Sequence, residues 1–188
     1  MRLKTRIHLV WLVAVLILIL PLARGQAQFF DKGPLDYDKL FKENLFKNGK
    51  YLNLSGKKIG DEGIKILVHH EVMKKVAKVD LRYNKLSAEG ARILAESPQY
   101  PKLKVLILRH NFFSDNGAVA FAQTKSFPNL VELQLGWNEI RDQGALALGQ
   151  SSSFPKLRKL DLRGNFLAGA TKKSLKEKLA HLKSLRLY

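Results

Sequence analysis

The chain contains no cysteine. That excludes disulfides, thiolate metal sites and cysteine nucleophiles; an oxidising compartment is permitted but not indicated. Acidic residues are scarce, with 16 Asp plus Glu against 33 Lys plus Arg in 188 residues, a formal net charge of +17. Such an excess points to anionic partners or to a basic solvated surface, and specifies no fold. There is no glycine-rich phosphate loop. Histidines are few. His69 and His70 are adjacent, so on a helix they point in different directions, and Glu71 supplies no third ligand at ligand spacing; they read as a solvated pair at a helix end. Ser151–Ser152–Ser153 precedes Phe154–Pro155 and reads as a loop rather than a nucleophile motif. What is present is ordinary for a folded domain: 46% hydrophobic and 26% charged residues in a length that suits one domain.

Only one long apolar run exists, Leu9 to Leu22, broken by Pro21 near its end. Arg2, Lys4 and Arg6 precede it as a basic n-region, and small residues follow up to Ala27. Fourteen residues fall short of the roughly 18 expected of a membrane span. Residues 1–27 therefore read as a secretory signal cleaved after Gly25 or Ala27. The rival is an uncleaved N-terminal anchor, favoured by the charge of Arg24 beside the cleavage site. Either way the rest of the chain is expected to be extracytoplasmic, periplasmic or secreted. Residues 1–27 hold four basic residues and no acid, so the remainder carries 29 against 16, or +13.

The rest repeats. Leu54, Leu81, Leu108, Leu135 and Leu162 are each 27 residues apart, and two positions earlier stand Leu52, Val79, Leu106, Leu133 and Leu160. Val76, Leu103, Leu130 and Leu157 precede these; Asn84, Asn111, Asn138 and Asn165 follow; then come Ile59, Leu86, Phe113, Ile140 and Leu167. Gly63, Gly90, Gly117 and Gly144 are next, each followed by Ile64 or an Ala, and Leu67, Leu94, Phe121 and Leu148 close the set. The alternating stretch predicts a short strand with one buried face. The Asn amide can both donate and accept where the chain turns inside the coil. The Gly-Ala pair is expected to let the following helix approach the strand layer closely. Asp61–Glu62, Glu89, Asp115 and Asp142 oppose the positive end of each helix dipole. Tyr100–Pro101, Phe127–Pro128 and Phe154–Pro155 end each helical arm, since proline blocks continuation; His181 takes the same column position.

These residues resemble leucine-rich repeats, whose consensus L-x-x-L-x-L-x-x-N-x-I/L-x-x-x-G-A-x-x-L they follow over residues 49–188. The 27-residue period and helical return arm are similar to the ribonuclease-inhibitor-like subclass. The resemblance implies a right-handed α/β solenoid with parallel strands on the concave face and helices on the convex face. It also implies protein binding, usually on the concave face. Some leucine-rich repeats activate small GTPases, but no catalytic constellation supports that here. Departures sit at the ends, where capping repeats are atypical: Lys57 replaces Asn, Gly49 replaces Leu, and Thr171 replaces Gly. Residues 28–48 are expected to cap the core with a helix over 35–47, carrying Leu40, Phe41, Leu45 and Phe46 and stopped by Asn48–Gly49. Leu182, Leu185 and Leu187 begin a terminal strand, with no cap visible after it.

Stacked repeats align outward residues in columns. One column reads Ser55, Arg82, Arg109, Gly136, Arg163, and the next Gly56, Tyr83, His110, Trp137, Gly164. Arg and large aromatics dominate binding hot spots, so Arg82, Tyr83, Arg109, His110, Trp137 and Arg163 form the candidate binding set. Asp80 and Asp161 lie two residues from Arg82 and Arg163 and can neutralise them, whereas Ile107 holds the equivalent place beside Arg109. Lys172, Lys173, Lys176 and Lys178 read as a solvated helix face, with contact to anionic lipid or polysaccharide as the rival. The expectation is a non-catalytic module that needs no cofactor and binds a protein partner. The alternative is a basic adhesion module for an acidic polymer or an anionic membrane surface.

Overall fold

The computed structural model describes residues 35–188. The expected signal segment and residues 28–34 lie outside the described residues. In chain order come helix α1 (Tyr37–Glu43), β1 (Leu45–Phe46), β2 (Tyr51–Asn53), α2 (Gly60–Leu67), a 3-10 turn (Glu71–Lys74), β3 (Lys78–Asp80) and α3 (Ala88–Ala95). Then follow β4 (Val105–Ile107), α4 (Ser114–Ala122), β5 (Glu132–Gln134), α5 (Asp142–Gln150), β6 (Lys159–Asp161), α6 (Gly169–Lys178) and β7 (Ser184–Arg186). The seven strands lie side by side in sequence order. Strands β2 to β7 are parallel, and the buried Leu52, Val79, Leu106, Leu133 and Leu160 stand in one register row that ends at half-buried Leu185. This is the α/β solenoid expected from the period, with strands lining the concave face and helices on the convex face. No helix among the described residues is long and apolar enough to cross a membrane.

The core follows the repeat columns. Leu54, Leu81, Leu108, Leu135 and Leu162 are fully buried. Phe113, Phe121 and Phe127 are also fully buried and touch in sequence, with ring centroids 5.6 and 5.7 Å apart. The asparagines form the expected inner ladder. Asn111 Oδ1 accepts from the amides of Asn84 and Leu86, while its Nδ2 donates to the carbonyls of Leu81 and Leu108. Asn165 repeats this on Asn138, Ile140, Leu135 and Leu162. Asn138 donates to three carbonyls, but its buried Oδ1 has no partner.

Several expectations are corrected. The helix expected over 35–47 stops at Glu43, and Leu45–Phe46 pairs antiparallel with β2. The Asn48–Gly49 dipeptide is a hairpin turn rather than a helix stop: Lys47, Asn48 and Gly49 have φ of 53°, 54° and 78°, the left-handed run that Asn-Gly hairpins adopt. The periodic glycines make room between neighbouring helices rather than between helix and sheet. A Cβ on Gly117 would lie 2.8 Å from Ala91 Cβ, and one on Gly144 would lie 2.8 Å from Ala118 Cβ. The first-turn acids reach across repeats. Asp61 accepts from Ser87 N and Oγ, Asp115 from Arg141 N and Gly144 N, and Asp142 from Ala168 N. Each thus caps the start of the next helix, not only its own. His70 is not a solvated residue. Its Nε2 lies 3.0 Å from Asp38 of α1, its Nδ1 accepts from Val72 N, and its ring meets Phe41 edge-on. His181 is exposed, unlike the buried Tyr100 and Phe127 whose column it continues. Ser151 and Ser153 donate to the Ala122 carbonyl, tying their loop to the end of α4.

Candidate functional site

The strand period fixes where the candidate side chains stand. Residues alternate across each strand, so Asp80, Arg82 and their equivalents share the face opposite the leucines. Register places Asn53, Asp80, Ile107, Gln134, Asp161 and Arg186 in one row across that face. One step further along, Gly56 N bonds Arg82 O, Tyr83 N bonds Arg109 O, His110 N bonds Gly136 O and Trp137 N bonds Arg163 O. The sheet ladder therefore continues into the loops and holds the arginine and aromatic columns in line.

Two of the arginines are engaged within the fold. Arg82 Nε and Nη2 donate to Asp80 at 2.7–3.0 Å, and Arg163 meets Asp161 in the same way. The carboxylates are buried rather than solvated, with side chains 1% and 6% exposed. Burial pushes the Asp161 carboxyl up, but hydrogen bonds from the Arg163 side chain and amide outweigh it and hold it below its ordinary value. The pair with Asp80 raises the Arg82 guanidinium further above its ordinary value. Arg109 differs because the apolar, buried Ile107 stands where Asp80 and Asp161 stand. Among the described residues Arg109 forms no ion pair, and its Nε is buried without a hydrogen-bond partner. A Cβ on Gly136, just beyond β5, would meet Arg109 Cγ at an ordinary contact distance of 3.7 Å and crowd the Arg163 carbonyl oxygen at 2.9 Å. The guanidinium ends 5.0 Å from the centre of the Trp137 ring, and that of Arg163 lies 5.7 Å from it.

Tyr83, His110 and Trp137 are brought together into one stack. Ring centroids are 4.3 Å apart between Tyr83 and His110 and 4.7 Å between His110 and Trp137, each pair tilted by 12°. Burial in the stack, with Arg109 and Arg82 close by, holds the His110 imidazole below its ordinary pKa. The stack therefore favours its neutral form. All three residues have left-handed backbones, with φ of 56°, 55° and 55°, where Gly56 and Gly164 have 71° and 68°. That conformation costs a side chain roughly 1–2 kcal/mol, while an aromatic pair contributes about 0.5–1.5 kcal/mol. The fold gains little from rings at these positions, and glycine would serve it as well.

Other exposed side chains were not singled out by the repeat pattern. Phe112 and Phe166 are 53% and 60% exposed on the same loop edge, and Arg141 lies over the Phe166 ring at 5.4 Å. Their signal was two aromatics in the variable place after the ladder asparagines, a place held by Lys85 and Glu139 in the other repeats. Beside the arginine column, a hollow of about 250 Å³ spans β5 to β7, lined by Glu132, Gln134, Lys159, Asp161 and Arg186. Glu132 there bonds Gln134 and lies 3.4 Å from Lys159. On α6, Lys172 and Lys176 lie over the Tyr188 ring, at 4.6 and 5.1 Å, with Lys173 and Lys178 exposed. No group of three His, Asp or Glu residues that could hold a metal occurs among the described residues.

A family model described as Leucine Rich repeat matches residues 101–122 and 128–149, the third and fourth turns of the coil. The chain carries leucine-rich repeats. No curated protein matches it significantly. A solved structure of the leiomodin-1 actin-binding site 2 is similar at 17% identity and a TM-score of 0.46, over 83% of this chain and 81% of that one. The matched residues include Arg109, His110 and Trp137, whereas Arg82, Tyr83 and Arg163 lie outside them.

Proposed function

We propose that this leucine-rich-repeat chain is a non-catalytic protein-interaction module that binds its partner through the concave face, centred on Arg109 and Trp137. The observation that carries the reading is the Nε of Arg109, buried without a partner because Ile107 replaces the aspartate that serves Arg82 and Arg163. A buried donor left unbonded costs about 1–3 kcal/mol. A carboxylate from a partner would pair the charge of the guanidinium, and would satisfy that donor once the side chain turns outward to meet it. The stacked rings offer rigid apolar area beside it. The 27-residue period and helical return arm support the ribonuclease-inhibitor-like subclass, and the apolar, basic-flanked segment at residues 9–22 supports an extracytoplasmic location.

The test compares four variants against a partner recovered with the full chain. Arg109→Ala or Trp137→Ala should each weaken binding by roughly 2 kcal/mol or more, as hot-spot truncations do. Arg92→Ala and Lys125→Ala should change it little, because Arg92 is exposed on α3 and occupied by Glu89 and Glu96. The reverse pattern would place the partner on the convex side. A steep fall of affinity with salt, uniform across all four variants, would instead favour adhesion to an acidic polymer or an anionic membrane surface.

A further inference from the structure

The aromatic column ends differently at its two ends. At Gly164 the last step is filled, since a Cβ there would overlap the Nε1, Cδ1 and Cε2 atoms of Trp137. The indole lies directly on the glycine. At Gly56 the same column position is open: among the described residues nothing lies within 4 Å of where its Cβ would be. Gly56 N bonds Arg82 O, so this glycine is the immediate neighbour of Tyr83 across the ladder. Tyr83 stacks on His110 with one ring face and is still 51% exposed. Its second face looks over a vacant step one strand spacing wide, about 4.8 Å, close to the pitch of the stack itself.

We propose that this step receives one aromatic side chain from an acidic segment of a partner protein, its ring stacking on Tyr83 above Gly56. The proposal rests on the protein-binding reading above and names the chemistry of that partner. The ring is required by the spacing: a fourth ring at the pitch of the other three fits between Tyr83 and open space, over a residue with no side chain of its own. The acidity is required by the rim. Lys57, Lys58 and Lys85 are exposed and form no ion pair among the described residues. No acid lies in residues 53–58 or 82–86. Arg82, the remaining cation here, already gives its Nε and Nη2 to Asp80 and is paired in charge with it. A segment carrying carboxylates on both sides of a ring would place them against three lysines that lack partners.

The probes are two short dye-labelled peptides rich in Asp and Glu, one with a central Trp and one with Leu in its place, titrated into the full chain by fluorescence anisotropy. The Trp peptide should bind about fivefold more tightly, the increment expected of one aromatic stack. Gly56→Tyr should remove that difference by filling the step from within; rings at φ near 55° in the next three repeats show that this column accommodates them. Tyr83→Gly, which suits the left-handed backbone, should remove it as well. Lys57→Gln, Lys58→Gln and Lys85→Gln together should weaken both peptides alike and flatten their salt dependence. Equal affinity of the two peptides for the unaltered chain, or a preference for Trp that survives Gly56→Tyr, would overturn the proposal. So would a single-stranded oligonucleotide that loses binding in Gly56→Tyr while the acidic peptides never bind. Arg109→Ala separates the two readings. If it weakens the recovered partner while Gly56→Tyr does not, the concave interface stands and the ring slot falls.

Discussion

At the scale of single residues, the ladder asparagines and the stacked histidine carry the clearest consequences. Asn111 is 2% exposed and joins five backbone groups from two repeats. Asn111→Leu removes the side-chain partner of two amides and three carbonyls, so it should cost at least about 3 kcal/mol at roughly 1–3 kcal/mol per unsatisfied group. Asn138→Leu should cost less, because only its donor side is used. Asn165→Leu should cost least, because its site is half-buried and water can replace the lost bonds. Urea melts of the three variants check the order; equal shifts would refute the ladder as an energetic unit. His110 gives a pH dependence. Its folded pKa is depressed by burial and by Arg109 and Arg82, so the unfolded chain takes up the proton first. Its stabilising contribution is complete above the ordinary histidine value and is lost as pH falls below it. His110→Asn should therefore flatten the fall in Tm between about pH 6.5 and 5. A slope that is unchanged in the variant would show that the stack does not exclude the charged ring.

At the scale of elements, each helix start is built by two repeats together. Asp115 Oδ1 accepts from Arg141 N at 2.9 Å and Gly144 N at 2.8 Å, so it caps α5 from the repeat before. Losing a cap of this kind costs about 0.5–2 kcal/mol. Asp115→Ala should lower stability by that amount, and Asp115→Asn, which keeps the oxygen, should not. Gly144→Ala decides between two readings of the glycine. Helix propensity alone favours Ala by about 1 kcal/mol. The new Cβ, however, would lie 2.6 Å from Asp115 Oδ1 and 2.9 Å from its Cα, and overpacking of this sort costs about 1–3 kcal/mol. A lowered Tm is expected; a raised one would show that neighbouring helices can part freely. The inner leucines, the asparagine ladder and the strand register were legible in the sequence because a 27-residue period maps one residue onto the next without any knowledge of angles. What the period cannot show is backbone hand. Tyr83, His110 and Trp137 were read as outward residues of a column, but their left-handed conformation and mutual stacking follow only from the turn geometry; Gly56 and Gly164 in the same column were the one available sign. Nor could it show which repeat an acid serves, since Asp61 and Asp115 look in sequence like caps of their own helices. The hairpin of β1 was misread because Asn48–Gly49 follows an apolar helical pattern too short to be told from a strand.

At the scale of the whole molecule, charge and fold pull in opposite directions. The chain carries +17, and self-repulsion of such an excess destabilises a compact state. Against it stand exposed pairs such as Lys42–Asp38, Lys65–Glu62 and Arg92–Glu89. Pairs so exposed contribute little and fade with salt. The two pairs that matter most to the concave face, Arg82–Asp80 and Arg163–Asp161, have buried carboxylates, and buried pairs are screened far less. Salt therefore removes much of the repulsion and only the weakest of the attractions. Thermal melts of the full chain should shift upward as NaCl rises from about 0.01 M to about 0.5 M, a range over which the Debye length shrinks from roughly 30 Å to a few ångströms. Lys172→Gln and Lys176→Gln should reduce the shift only slightly, since their charges also lie over the Tyr188 ring, whereas neutralising the unpaired Lys57, Lys58 and Lys85 should reduce it more. A Tm that falls with salt would mean that surface ion pairs, not the leucine columns, hold the coil against its own charge.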